Sequence, residues 1–260
     1  MEFFDSHSHY NDEKFNEDRE DIIKKTYEEG ITKWICAGYD IPSSAMSIKL
    51  ANENKFIYSI CGISPNDVPE NIEDIDKMVI SIENIIKQDI NKKVVAVGEI
   101  GLDYYWNKEN KEIQKEMFKK QIKLANKYNL PIVIHTREAI MDTIETLKKN
   151  EVNKKGIFHC CPLNQELVKE ALKLGFYISF AGPITFKNSK NAKDVVNMVP
   201  LDKILIETDS PYLAPEPKRG TRNDSRNVKL VAEKIAEFKN ISIQEVANVT
   251  FENALRIFEI

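Results

Sequence analysis

Eight short apolar runs, rich in β-branched residues, recur along the chain, and charge-laced segments with helical spacing separate them. The runs are 3–7, 33–37, 57–62, 94–98, 132–135, 156–159, 177–180 and 204–207. Each is too short for a helix in a protein core and is bounded by polar or turn residues, so each reads as a buried strand. The intervening segments 18–29, 41–54, 72–88, 113–128, 138–149 and 165–174 read as helices. In 113–128, Met117, Ile122, Leu124, Ala125 and Tyr128 form one apolar face. Gly30 and Gly175 mark helix stops, and the seventh helix, near 191–198, is the weakest. Strands joined through helices must run parallel, because a tight turn cannot connect parallel neighbours. Eight such units predict a (β/α)8 TIM barrel, with an open doubly wound sheet as the alternative. The stretch 242–258 predicts one additional C-terminal helix. With no linker, low-complexity tract or repeat, residues 1–260 are read as one domain.

In a barrel, chemistry collects at the C-terminal ends of the strands. The chain has four histidines, and every one falls there: His7 and His9 at the end of the first run, His135 after PIVI, His159 after GIF. Glu99 follows VVAVG and Asp209 follows KILIET. Side chains two apart on a strand share a face, so His7 and His9 can present both imidazoles to one ion. The H-x-H pair alone is a weak signal. Six metal-ligating side chains on one rim are not, and they predict a metal centre. Six ligands exceed the need of one tetrahedral ion, so two divalent ions are expected, with Glu99 as the bridge. Zinc, manganese or iron suits four histidines with two carboxylates better than an all-oxygen magnesium site does, but magnesium stays open. Asp5 is either a support for a ligand or a buried structural carboxylate. Glu207, two residues before Asp209, is expected to support the site. Asp209 and Glu99 are the catalytic candidates, Asp209 as acceptor of a proton from water. Tyr104, Tyr105 and Trp106 lie at the same rim, where they either stack on bases or pack under a loop.

FDSHSHY, VVAVGEIGLDYYW, LPIVIHTRE and ETDSPYLAPEP together resemble the TatD-type metal-dependent deoxyribonucleases, in the order and spacing of that family. The resemblance implies an amidohydrolase-like TIM barrel that hydrolyses DNA phosphodiesters, often as a 3′ exonuclease. It implies His7, His9, Glu99 and Asp209 around one metal and Glu99, His135 and His159 around a second. It also implies substrate contacts from Arg137, Arg222 and Asn223. Lys218, Arg219, Arg222 and Arg226 would then form a local positive patch on a chain of net charge −4. Three segments depart from the family pattern. GISPND carries Ser64 and Asn66 where two histidines are usual, CCPLN replaces an aromatic-Ser-Gly segment after His159, and Asp224-Ser225-Arg226 replaces Glu-Pro-aromatic. Ser64 and Asn66 keep hydrogen-bonding capacity and lose proton transfer, so a shifted substrate is expected.

The charge balance argues against a non-catalytic nucleic-acid glove. Cys36, Cys61, Cys160 and Cys161 contain no C-x-x-C pair, so free thiols are expected rather than a thiolate zinc site. No run approaches the ~18 apolar residues of a membrane span, and no secretory leader is visible, so a cytoplasmic enzyme with no membrane partner is expected. DNA is the expected substrate partner, and no obligate protein partner is legible. Two other readings stand: a hydrolase of esters, amides, lactones or aminoacyl-tRNA on the same metals, and a binding module on a barrel that has lost activity.

Overall fold

The computed structural model describes residues Met1–Ile260. Its eight strands are β1 (Phe3–Ser8), β2 (Ile31–Ala37), β3 (Ile57–Cys61), β4 (Val94–Asp103), β5 (Ile132–Arg137), β6 (Gly156–Phe158), β7 (Tyr177–Phe180) and β8 (Ile204–Ile206). They lie in chain order in one sheet, and every ladder is parallel. Helices α1 (Arg19–Glu28), α2 (Ile41–Glu53), α3 (Ile75–Lys87), α4 (Lys111–Tyr128), α5 (Ile140–Lys149), α6 (Gln165–Lys173), α7 (Ala192–Met198) and α8 (Val228–Lys239) alternate with the strands. A ninth helix, α9 (Ile243–Phe258), follows. The expected TIM barrel with an extra C-terminal helix is therefore the observed fold.

Local chemistry sets the boundaries. Asp40 and Ser43 form a reciprocal capping box at the start of α2, with Pro42 in its first turn. Asn129 and Asn240 take left-handed conformations that stop α4 and α8. The seventh helix is the shortest, as its weak pattern implied. One boundary differs in a way that matters. The expected strand at 94–98 runs on to Asp103. Gly98 and Gly101 are not breakers here, because they admit β5. A Cβ on Gly101 would sit 2.0 Å from the His135 carbonyl oxygen, and one on Gly98 would sit 2.6 Å from the Val133 Cβ. A strand glycine of this kind marks close backbone approach.

Apolar side chains fill two layers. The larger packs the helices against the outside of the barrel, around Trp34, Phe118, Phe158 and Val231. The smaller fills the barrel interior with Phe4, Ile35, Ile60, Val133 and Leu205. Ala254, Ile257 and Phe258 of α9 join that inner layer and seal the end of the barrel away from the chemistry. No helix is long and apolar enough to cross a membrane. All four cysteines are free thiols.

The seam between β1 and β8 closes mainly beyond β8. The Asp209 N–H donates to the His7 carbonyl at 2.9 Å, and the His9 N–H to the Ser210 carbonyl at 2.7 Å. The buried Asp5 carboxylate accepts from the Thr208 N–H (2.9 Å) and hydroxyl (2.5 Å). Asp5 thus stands in for ladder hydrogen bonds and fixes where the 207–210 segment crosses the mouth. Burial raises its pKa to about 7.

Candidate metal centre

The six ligand candidates, far apart in sequence, meet at the C-terminal mouth of the barrel. The His7 and His9 Nε2 atoms lie 3.2 Å apart, as the two-residue strand period requires. Asp209 Oδ1 lies 3.2 Å from His9 Nε2 and 3.8 Å from His7 Nε2. Asp209 adopts φ 55°, a region uncommon outside glycine but favoured by Asp and Asn. On the other side, Glu99 Oε1 lies 2.9 Å from His135 Nδ1 and 3.1 Å from His159 Nε2. Those two ring nitrogens are 3.3 Å apart. Glu99 Oε2 faces the first group, at 3.5 Å from His7 Nε2 and 3.8 Å from His9 Nε2.

Each Glu99 oxygen therefore belongs to a different ligand set. Two ligands at ~2.0–2.1 Å from a tetrahedral ion stand about 3.3–3.4 Å apart. The spacings above bracket that value, so the donor atoms fit a divalent ion without rearrangement. The ligand atoms of His7, Glu99 and His159, and of His7, His9 and Asp209, form two sets that could each hold an ion. Lone pairs converging at this distance repel unless a cation or shared protons lie between them.

The electrostatics point the same way. Burial opposes ionisation of Glu99, yet the His159, His135 and His7 rings hold it well below the usual carboxylate range. Asp209 is likewise lowered, against its burial, by His9. Burial and the neighbouring His159 lower His7, which favours the neutral ligand form. His159, despite burial, is raised well above its ordinary value by Glu99 and Glu207. The pocket is built to hold positive charge.

Neighbours orient the ligands. Glu207 Oε1 lies 3.2 Å from His159 Nδ1 and also accepts the Cys160 N–H at 2.6 Å. This is the support expected of Glu207. The His9 Nδ1 meets the Ala37 carbonyl at 3.0 Å. Sequence reasoning missed Asp103. Its buried carboxylate lies 2.9 Å from His135 Nε2 and accepts the Tyr105 and Trp106 N–H groups. The signal was present, since Glu99, Gly101 and Asp103 alternate along one strand, but it required a strand longer than 94–98. Removing such an orienting carboxylate weakens metal binding by about 10–100-fold. Asp103→Asn is therefore expected to lower metal affinity about tenfold while the apo protein melts nearly unchanged. Chelator competition measures this, and an unaltered affinity would show that His135 needs no such partner.

A cleft of about 720 Å³ opens over the ligands. Ser64, Asn66, Trp106 and Arg137 line it, together with five of the six candidate ligands, all but His7. The Ser64 hydroxyl donates to Asp67. The Asn66 amide is 3.5 Å from Asp103. Tyr105 is half exposed and carries the Arg137 guanidinium 3.8 Å from its ring centre. Tyr104 is buried and its hydroxyl donates to Asp142, so it packs under the loop. Of the three aromatics, Tyr104 alone packs under the loop, and Tyr105 and Trp106 are exposed.

Two expected substrate contacts and the basic patch need correction. Arg222 does not line the cleft: it forms a two-pronged pair with Asp18 at 2.6 and 2.9 Å and also donates to the Lys14 carbonyl. Asn223 is fully buried, and its amide donates to the Thr208 and Tyr212 carbonyls. It shapes the loop that carries Asp209 and does not face the cleft. Arg226 pairs with Asp224 and Glu29. Half of the patch read from sequence is thus paired, Arg222 and Arg226 with acids at the two ends of α1 and in their own loop, while Arg219 lies over the Phe186 ring.

The chain matches the family described as TatD related DNase over residues 4–259. The chain belongs to the TatD family. Among its TatD relatives, the uncharacterized metal-dependent hydrolase YabD of Bacillus subtilis is 42% identical over 258 residues, covering 99% of each chain. The uncharacterized metal-dependent hydrolase YcfH of Escherichia coli is 36% identical, over 100% of this chain and 97% of its own. In structure, the TatD homolog YJJV of E. coli superposes with a TM-score of 0.91 at 25% identity, over 99% of this chain and 98% of that one. The TatD assignment and the converging ligands together make this chain a metal-dependent hydrolase.

Proposed function

We propose that this TatD-family hydrolase cleaves DNA phosphodiester bonds, as a 3′ exonuclease, with two divalent ions in the cage. The observation that carries the reading is Glu99, whose two oxygens face separate ligand sets, as a carboxylate bridging two ions does. His7, His9 and Asp209 would hold one ion with Oε2, and His135 and His159 the other with Oε1. Ions held there would acidify a water and would neutralise charge developing on the attacking and leaving oxygens. The remaining work falls to side chains. Asp209 takes the water's proton as its oxygen bonds to phosphorus. The P–O3′ bond breaks, and that proton is available to the departing oxygen. Arg137, in the cleft wall, would hold a non-bridging phosphate oxygen. The 3′ direction rests on the four segments that resemble the family.

One observation favours a second reading. Pro162, Leu163 and Leu213 make part of the cleft wall apolar, which suits a carboxylic ester or lactone. A metal-bearing site of this kind serves carbonyl and phosphorus centres alike.

One experiment separates them. The protein is stripped with chelator, reloaded with zinc, manganese or magnesium, and assayed on end-labelled single- and double-stranded DNA beside an ester and a lactone. Activity is expected to fall to background in chelator, return with metal, and release label from 3′ ends first. Full activity in excess chelator would refute metal dependence, and a far faster carbonyl substrate would replace DNA.

A further inference from the structure

The cleft is poor in cations for a site that takes a polyanion. Arg137 is the only Lys or Arg among the side chains that line it. Arg222 and Arg226 are engaged with Asp18, Asp224 and Glu29, and Arg219 lies over the Phe186 ring, outside the cleft lining. The whole chain carries a net charge of −4. Proteins that hold a strand along its backbone use several Lys or Arg contacts to phosphates.

What the cleft offers instead is aromatic and apolar wall. Trp106 is 68% exposed and stands at the mouth. Tyr212, Leu163 and Leu213 face into the same space. Arg137 stacks on the Tyr105 ring, 3.8 Å from its centre, with the Trp106 ring centre 5.5 Å away. A guanidinium so held offers one fixed site for one phosphate. The volume of about 720 Å³ is that of a single small-molecule site.

Building on the phosphodiesterase reading, we infer that recognition extends over one diester and its two flanking nucleosides only. Arg137 grips the diester at the metal centre, and one base stacks on Trp106. A free dinucleotide is then as good a substrate as the end of a long strand, and the rest of the strand lies in solvent.

The test uses the metal-loaded full chain. KM and kcat are measured for a thymidine dinucleotide, a tetramer and a 20-mer, at 50 and 200 mM salt. KM is expected to agree within about threefold across the series. One phosphate contact on a single strand predicts about a threefold rise in KM over that fourfold salt increase, and six contacts predict about 300-fold. Arg137→Gln should raise KM by the same factor on dimer and 20-mer and abolish the salt dependence. A KM that falls steeply with length, a rise near 300-fold with salt, or a 20-mer spared by Arg137→Gln overturns the inference and leaves the phosphodiesterase reading intact. Hydrolysis of none of the diesters, with an ester or lactone still cleaved, overturns both.

Discussion

Glu99→Gln is expected to lower kcat/KM by about a thousandfold or more, equivalent to about 4 kcal/mol of barrier. The side chain keeps its shape and loses its charge, and its two oxygens face different histidines. Its Oε1 lies 2.9 Å from His135 and its Oε2 3.5 Å from His7. An amide presents one oxygen and one NH₂, so one set loses a donor outright and meets N–H groups instead. Bound metal per chain should fall in step with activity. The apo fold should survive, because no packing is removed and the charge lost was itself costly to bury. Activity within tenfold of the parent, with full metal content, would mean that Glu99 does not bridge. Circular dichroism and thermal melting separate that outcome from a protein that has not folded.

Gly101→Ala is expected to destabilise the protein by about 3–5 kcal/mol, summing strain at a disfavoured backbone angle with overpacking. Gly101 has φ 140°, and an added Cβ would stand 2.0 Å from the His135 carbonyl oxygen. No side chain can yield there, because the clash is with the backbone of the neighbouring strand. β4 and β5 must part, and they are the strands that bring Glu99 to His135. Urea denaturation should therefore show both lower stability and a smaller stabilising shift on adding metal. Gly220→Ala is the control: its φ of 88° is also positive, but nothing lies within 4 Å of the added Cβ. A loss of only about 1 kcal/mol is expected there. Equal losses at the two positions would contradict the close-approach argument.

The barrel was legible because its signal is periodic and repeated. Each strand had only to be short and apolar, and eight repetitions left little choice of sheet. The convergence of the six ligand candidates was legible because strand ends are a topological address, read without knowing any side-chain contact. Asp103 was not, because a strand that continues through glycines looks like one that stops. Arg222 and Asn223 were misplaced for a different reason. Asp18 becomes a neighbour of Arg222 only when the barrel closes, and the Thr208 and Tyr212 carbonyls meet Asn223 only through the fold of the irregular loop after β8. Loop charges have no period, so sequence cannot say whether an arginine faces a ligand or an aspartate.

The position of α9 has a consequence for traffic. Its Ile257 and Phe258 stop the far end of the barrel with apolar side chains, continuous with Phe4, Ile35 and Leu205. The interior is thus a blind alley with one door. Substrate, water and both cleavage products must share the opening framed by Trp106, Tyr212 and Leu213. A product that lingers there blocks the next arrival, so departure through that doorway competes with chemistry for control of turnover.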